Sequence, residues 1–316
     1  MSVPTDPPAS PVVPDGTKSK RRRLWVAAIA TALVLVVGLV VVTVAGRPSD
    51  SHRASGTLFG ASVYVDGATW AEALASSNAR YGGLEVVRVF YGGLPEAWPG
   101  RAGAVGGPVV VSFKGSPAAV NSGQYDAQLA QWFATAPAGR DIWWTYWHEP
   151  ENDIEDGAFT AAAWRSAYRR IAGLADQAAN PQLHNTVVLM CLTVDPKSGR
   201  RFSDYFPGAD VVDTLGWDCY SRPSAPASYQ PPAEMFSRAI AVNRQYGLSF
   251  GVAEAGSLLA PGDDGTGRAA WLRDVGTYLA DNHALFAVYF DSVVGGEYRL
   301  LDEPSRQAWY DVVTGY

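Results

Sequence analysis

From Leu58 to its end, the chain alternates short apolar runs with stretches whose apolar residues recur every three or four positions. The runs are Leu58–Val65, Glu85–Tyr91, Pro108–Lys114, Asp141–His148, Thr186–Val194, Val212–Tyr220, Ser249–Glu254 and Leu285–Asp291. Val, Ile, Leu and aromatic residues dominate them, as in strands buried on both faces. Helical periodicity occupies Thr69–Tyr81, Tyr125–Thr135, Thr160–Ala179, Ala233–Tyr246 and Gly267–Asn282, and a last helix over Pro304–Val313 closes the chain. The segments after the second and fifth runs are irregular.

Apolar strands that alternate with helices imply parallel pairing, because a crossover must return the chain to the same edge. Eight such units fit an α/β fold of the (β/α)8 TIM-barrel type, which takes about 250 residues. A doubly wound open sheet is the rival architecture. It would carry a Gly-rich phosphate turn after an early strand, and no G-x-G-x-x-G or Walker pattern follows any run here.

The first 56 of the 316 residues differ in character. Residues 1–23 are a Pro- and Ser-rich tail, expected to be disordered, that ends in the basic cluster Lys18-Ser-Lys20-Arg21-Arg22-Arg23. Residues 24–45 are uncharged and almost wholly apolar. At about 1.5 Å per residue they span roughly 33 Å, enough to cross a hydrocarbon core. The basic flank predicts a single-pass transmembrane helix, a cytoplasmic N-terminus and an extracellular remainder. A cleaved secretory signal is the alternative, although its apolar region usually runs only about 7–15 residues. Residues 46–56 then form a polar linker, and 57–316 form the barrel domain.

Charge narrows the partners. Seven of the 25 basic and three of the 31 acidic residues precede residue 56, which leaves the remainder near −10. That balance argues against nucleic acid as a partner. Cys191 and Cys219 are the two cysteines. They can form one disulfide outside the cell or remain buried thiols, and two Cys do not make a zinc site. A monomer is expected.

In a barrel the loops after the strand C-termini build the active site. Those positions carry Tyr64, Asp66, Arg88, Phe90, Tyr91, Lys114, Trp147, His148, Glu149, Asp195, Trp217, Asp218, Tyr220, Glu254, Tyr289, Phe290 and Asp291. Glu149 and Glu254 close the fourth and seventh runs. Paired carboxyls facing one another across a barrel mouth suit the acid/base and the nucleophile of a retaining glycosidase. Two carboxylates in structural salt bridges are the plainer alternative. Glu151, two residues further into the loop, competes with Glu149 as the acid. Arg88, a cation inside an apolar strand, would hold Glu254 ionised or else form a buried structural pair. Tyr220 would donate to the nucleophile, or be an ordinary rim tyrosine. His148 and Asp218 would bind sugar hydroxyls. Strict alternation puts Trp143, Thr145, Trp147 and Glu149 on one face of their strand. Of the 11 tryptophans, Trp147, Trp217 and Trp98 are the candidate stacking platforms for sugar rings.

At these residues the chain resembles glycoside hydrolase family 26, a family of retaining (β/α)8 glycosidases in clan A. The resemblance runs from about Leu58 to the end. It rests on His148-Glu149, on Gly216-Trp-Asp218-Cys-Tyr220 closing the sixth strand, and on Gly251-Val-Ala-Glu254 closing the seventh. It implies endo-acting hydrolysis of a β-linked polysaccharide, most often β-mannan, with β-1,3-xylan and mixed-linkage glucan also represented. It implies no metal or organic cofactor. Three positions depart from the family pattern. Thr145 stands where an Arg is common, Pro150-Glu151-Asn152 replaces the usual Asn-Gly, and Tyr289 or Phe290 takes the strand-eight Trp position. These departures leave the catalytic pair intact and point to a distant branch with another substrate.

Two further functions share these residues. A non-catalytic barrel could bind cell-surface glycan, but would have no chemical need for the carboxylate pair. A transglycosylase remodelling surface polysaccharide would use the same pair with a sugar as acceptor.

Overall fold

The computed structural model describes residues 56–226 and 228–315. The basic tail, the apolar run 24–45 and all of the linker but Gly56 lie outside the described residues. Among those described, no helix is long and apolar enough to cross a membrane.

Eight parallel strands close into a barrel in sequence order, with β1 pairing both β2 and β8. They are β1 (Leu58–Ser62), β2 (Val86–Phe90), β3 (Val109–Phe113), β4 (Ile142–Tyr146), β5 (Leu183–Met190), β6 (Thr214–Ser221), β7 (Ser249–Ser257) and β8 (Phe286–Tyr289). The helices are α1 (Trp70–Tyr81), α2 (Gly100–Ala104), α3 (Pro117–Asn121), α4 (Asp126–Ala134), α5 (Pro150–Glu155), α6 (Ala161–Gln177), α7 (Pro232–Tyr246), α8 (Thr266–Asp281) and α9 (Glu303–Thr314). The (β/α)8 expectation is therefore met by the described domain. The segments after β2 and β5 are indeed irregular, holding a five-residue helix and short 3₁₀ turns.

Local chemistry sets the long helices. Thr69 caps α1 in a reciprocal box with Glu72, and Gly82 ends it in the left-handed conformation. Asp302 caps α9 by accepting from Ser305 N at 2.8 Å.

Period-two alternation divides the strands into two cores. Val86, Val110, Trp143, Val188, Ala253, Phe286 and Val288 fill the barrel itself. Val87, Val111, Trp144, Leu189, Trp217 and Ala287 face outward into the shell beneath the helices. Gly251 is required where Phe286 crosses the lumen, since a Cβ there would stand 2.4 Å from the ring.

Several strand boundaries differ from expectation, most instructively in the fifth and fourth strands. The fifth strand begins at Leu183 rather than Thr186 and ends at Met190 rather than Val194. Its polar start belongs to the sheet because His184 pairs with Asp141 at 2.8 Å and Asn185 N donates to Asp213 at 2.8 Å. Cys191–Val194 then turns as 3₁₀ helix. The fourth strand stops at Tyr146 because Trp147 and Glu149 take φ values of 51° and 49°. Left-handed backbone ends regular pairing, so the alternation expected through Glu149 breaks at Trp147.

Candidate active site

Four strands carry the carboxylate site. Arg88 points inward from β2 between Val86 and Phe90, and is 1% exposed. Its Nη2 lies 3.6 Å from Glu254 Oε1 of β7. Tyr220 of β6 donates its hydroxyl to Glu254 Oε2. Glu254 reaches this position through a bulge. Trp217 aligns with Val252 but Asp218 aligns with Glu254, so β7 holds one extra residue, Ala253. Ala253 lines the barrel core, and regular alternation would turn Glu254 outward. The bulge re-aims it into the mouth beside Asp218.

Burial pushes the Glu254 carboxyl upward, while the Arg88 guanidinium and the Tyr220 hydroxyl oppose that shift. Glu149 is pushed up to about 8, first by burial and then by the charges of Glu254 and Glu151. Arg88 and Tyr220 lie on Glu254 and no donor lies on Glu149, so Glu254 is the better placed of the two to hold the negative charge. Neither Oε1 of Glu149 nor the two oxygens of Asp218 meet a hydrogen-bond partner. Burial and the neighbouring charges of Glu254 and Glu149 push the Asp218 carboxyl well up, toward its neutral form.

His148 follows the broken alternation into the site. Its ring lies 5.4 Å from that of Phe90, and its Nδ1 has no partner. Burial and the charges of Arg88 and Lys114 hold it well below the usual range, so the imidazole is neutral. Phe290 joins Phe90 at 6.3 Å and Tyr220 at 5.6 Å, both edge to face. Of the two strand-eight alternatives, Phe290 faces the site. Tyr289 faces the shell, donating to Tyr298 O at 2.6 Å and packing on Trp309. Arg88, His148, Glu149, Asp218, Tyr220, Glu254 and Phe290 are thus brought together.

The tryptophans are not. Trp217 is 1% exposed, and its Nε1 donates to Asn243 of α7 at 2.8 Å. An outward-facing indole locked under a helix cannot stack on a sugar, so its expected role as a platform is corrected to packing. Trp147 turns out of the barrel, donates to Asp153 at 2.6 Å and lies edge-on to Phe159. The Lys114 ammonium sits 5.0 Å from its ring centre. Trp98 stacks on Trp132 and lines a cavity of about 570 Å³ with Pro99, Pro137 and Arg140, residues outside the carboxylate cluster.

Glu151 is fully buried, and its Oε1 accepts from Met190 N and the Thr193 hydroxyl. A cleft of about 550 Å³ opens beside Asp218 and Tyr220, walled by Met190, Leu192, Arg222, Gln230 and Arg238. Cys191 also lines it and is disulfide-bonded to Cys219, with Cα atoms 5.1 Å apart. Cys219 lies between Asp218 and Tyr220, so the bridge fixes the β5 turn against the strand that carries both. Sequence spacing left that pairing open, and carried no signal for Phe90 as a wall of the site beyond its place at a strand end.

No protein-family model and no curated protein matches the chain. Solved structures do. A family 26 endo-β-1,4-mannanase from Bacillus sp. JAMB-750 superposes with a TM-score of 0.55 at 13% identity, over 85% of this chain and 90% of that one. A glucosidase from Croceicoccus marinus gives 0.56 at 14%, over 82% and 67%. A family 128 endo-β-1,3-glucanase from Amycolatopsis mediterranei, in complex with laminaripentaose, gives 0.52 at 14%, over 81% and 99%. The chain has the (β/α)8 fold of these proteins, including the family 26 barrel that its motifs resemble.

Proposed function

We propose that this protein is a retaining glycoside hydrolase, a distant branch of family 26, that cleaves a β-linked polysaccharide of the mannan, xylan or glucan type. One observation carries the reading. Glu149 is a carboxyl without a donor, held protonated up to about pH 8, and it faces a Glu254 carboxylate held by Arg88 and Tyr220. That asymmetry is what an acid and a nucleophile require.

In the first step Glu254 attacks the anomeric carbon as Glu149 gives its proton to the leaving oxygen, forming a covalent glycosyl-enzyme. Glu149, now ionised, takes a proton from water, whose oxygen displaces Glu254 and releases the sugar. Arg88 and Tyr220 keep Glu254 ionised before attack and stabilise it as the leaving group afterwards. Neutral His148 and Asp218 offer donors to sugar hydroxyls, and Phe290 offers an apolar wall to the ring. The like folds of a mannanase, a glucosidase and a β-1,3-glucanase support a glycan substrate.

The membrane-anchored, extracellular location is part of the same proposal. The basic cluster before residues 24–45 supports it, and so does the Cys191–Cys219 bridge, a pairing typical of oxidising compartments.

Reducing-end release from a panel of β-mannan, β-xylans, β-glucans and microbial wall polysaccharides tests the function, with Glu149→Ala and Glu254→Ala run alongside. Cleavage lost in both variants is expected. A folded wild-type protein inert on every polymer would favour the glycan-binding alternative, and product lengthening with added acceptor sugar would favour the transglycosylase.

A further inference from the structure

We infer that Glu151 is the positioning residue of the general acid: its carboxylate takes the place of a backbone carbonyl that the acid-bearing turn gives up. The inference rests on the glycosidase reading above, and deepens it.

The evidence is in the ladder between the end of β4 and β5. In a parallel pair, a residue that donates its N–H to one partner carbonyl accepts, through its own C=O, from the N–H two residues further along. Glu149 N donates to Val188 O at 3.0 Å. Its carbonyl would then receive Met190 N. Glu149 is left-handed at φ 49° and ψ 55°, however, which swings that carbonyl away. Met190 N instead donates to Glu151 Oε1 at 2.9 Å. The Thr193 hydroxyl donates to the same oxygen at 2.5 Å. Glu151 is 0% exposed, so without this carboxylate a buried N–H and a buried O–H would both be orphaned.

The left-handed backbone at Trp147 and Glu149 is strained for residues with a side chain and persists only where the surroundings over-determine it. Glu151 is one such restraint. A second is Arg200, which donates to Asn152 Oδ1 at 2.6 Å and to both oxygens of Glu155 at 2.7 Å. Together they pin α5, which begins immediately after Glu149, onto the end of β5.

Both contacts to Glu151 are donations to it, and its Oε2 meets no acceptor for a proton. Burial raises the Glu151 carboxyl, and its donors, Thr193 and Met190 N, oppose that shift. Where Glu151 is ionised, its charge stands behind Glu149 and adds to the larger effects of burial and Glu254 in raising that carboxyl. One buried side chain therefore holds the direction of the acid and adds to the shift, led by burial and Glu254, that raises its carboxyl. Because both donors share Oε1, Glu151→Gln keeps the two hydrogen bonds through its amide oxygen and replaces Oε2 by a neutral amide nitrogen.

The test uses the full chain in a mild detergent, as wild type, Glu151→Gln, Glu151→Ala and Thr193→Val, with Glu149→Ala as the assignment control. Two quantities are followed against pH: kcat/KM on a polymer the wild type cleaves, and the Glu149 carboxyl resonance by ¹³C NMR in Glu-labelled protein. The second reads the acid even in a protein that cleaves nothing, so failure of the glycosidase reading and failure of this one are separable. Expected for Glu151→Gln is a kcat within about threefold of wild type, with the Glu149 titration and the alkaline limb lowered by about half to one pH unit. Expected for Glu151→Ala is a kcat loss of about 30-fold or more with KM nearly unchanged, and for Thr193→Val a smaller loss of the same kind. If Glu151→Ala does not fold, the titration of the isosteric Gln variant decides. An unmoved Glu149 titration in Glu151→Gln overturns the inference. So does a folded Glu151→Gln without activity, which would make Glu151 itself the reacting acid.

Discussion

Arg88 Nη2 and Glu254 Oε1 lie 3.6 Å apart inside the barrel mouth, although β2 and β7 do not pair. Both side chains are almost wholly removed from water, so each is the other's compensation for a buried charge. Removing one partner of such a pair costs about 3–5 kcal/mol. Arg88→Ala is therefore expected to lower the unfolding free energy by about that amount in urea melts and to cut kcat by at least about 100-fold. A variant of wild-type stability and activity would show that the pair is incidental.

Tyr220→Phe separates the hydroxyl from the ring. The ring packs edge-on against Phe290 and tilted against Tyr298, and both contacts survive the change. Loss of the donor to Glu254 raises the proton affinity of that carboxylate, so the acid limb of the rate profile should move to higher pH. kcat should fall about 10- to 100-fold with little change in melting temperature. A profile unmoved on the acid side would remove Tyr220 from the site's electrostatics.

The raised Glu149 has a cost in stability with a definite sign. Its folded pKa, about 8, lies above its usual value of 4.5. Below pH 4.5 both states hold the proton. Between 4.5 and 8 the unfolded chain releases it and the folded protein does not, so stability falls as pH rises through that window. Glu149→Gln, which cannot ionise, should match wild type near pH 4 and melt progressively higher than it toward pH 8. Calorimetric scans across that range check the slope. The wild-type rate should fall beyond that window, as the acid loses its proton near pH 8.

The disulfide closes a loop with a sequence separation of 28. Chain-entropy arguments assign such a loop about 3–4 kcal/mol. The Cys191→Ser, Cys219→Ser double variant should lose about that much in denaturant melts, and dithiothreitol should reproduce the loss in wild type. Identical melts with and without reductant would mean that the thiols are unpaired in solution.

Trp217 and Phe290 should respond in opposite ways. Trp217→Ala empties a shell position beneath α7 and is expected to cost about 3–5 kcal/mol of stability, without a selective effect on KM. Phe290→Ala should leave most of the stability and raise KM, because that ring faces the site. Glycan titrations followed by melting curves distinguish them.

The sequence alone was enough for the barrel, because helix and strand periods are local properties and eight alternations leave few ways to close a parallel sheet. It was enough also to single out Arg88, Glu149, Tyr220 and Glu254 as residues of one barrel mouth, since charge or a hydroxyl at the end of an apolar strand is conspicuous. The folded chain decided matters that depend on backbone direction. Left-handed φ at Trp147 and Glu149 turned His148 inward and Trp147 out, against the alternation read along β4. The bulge at Ala253 swung Glu254 beside Asp218. A period-two pattern assumes unbroken extended backbone, and both departures lie where that assumption ends. The surroundings of Trp217 and Glu151 were hidden for a related reason: an indole or a carboxylate near a strand end has the same composition whether it faces a substrate or a neighbouring strand. Only tertiary packing determined which, by supplying Asn243 to one and Met190 and Thr193 to the other.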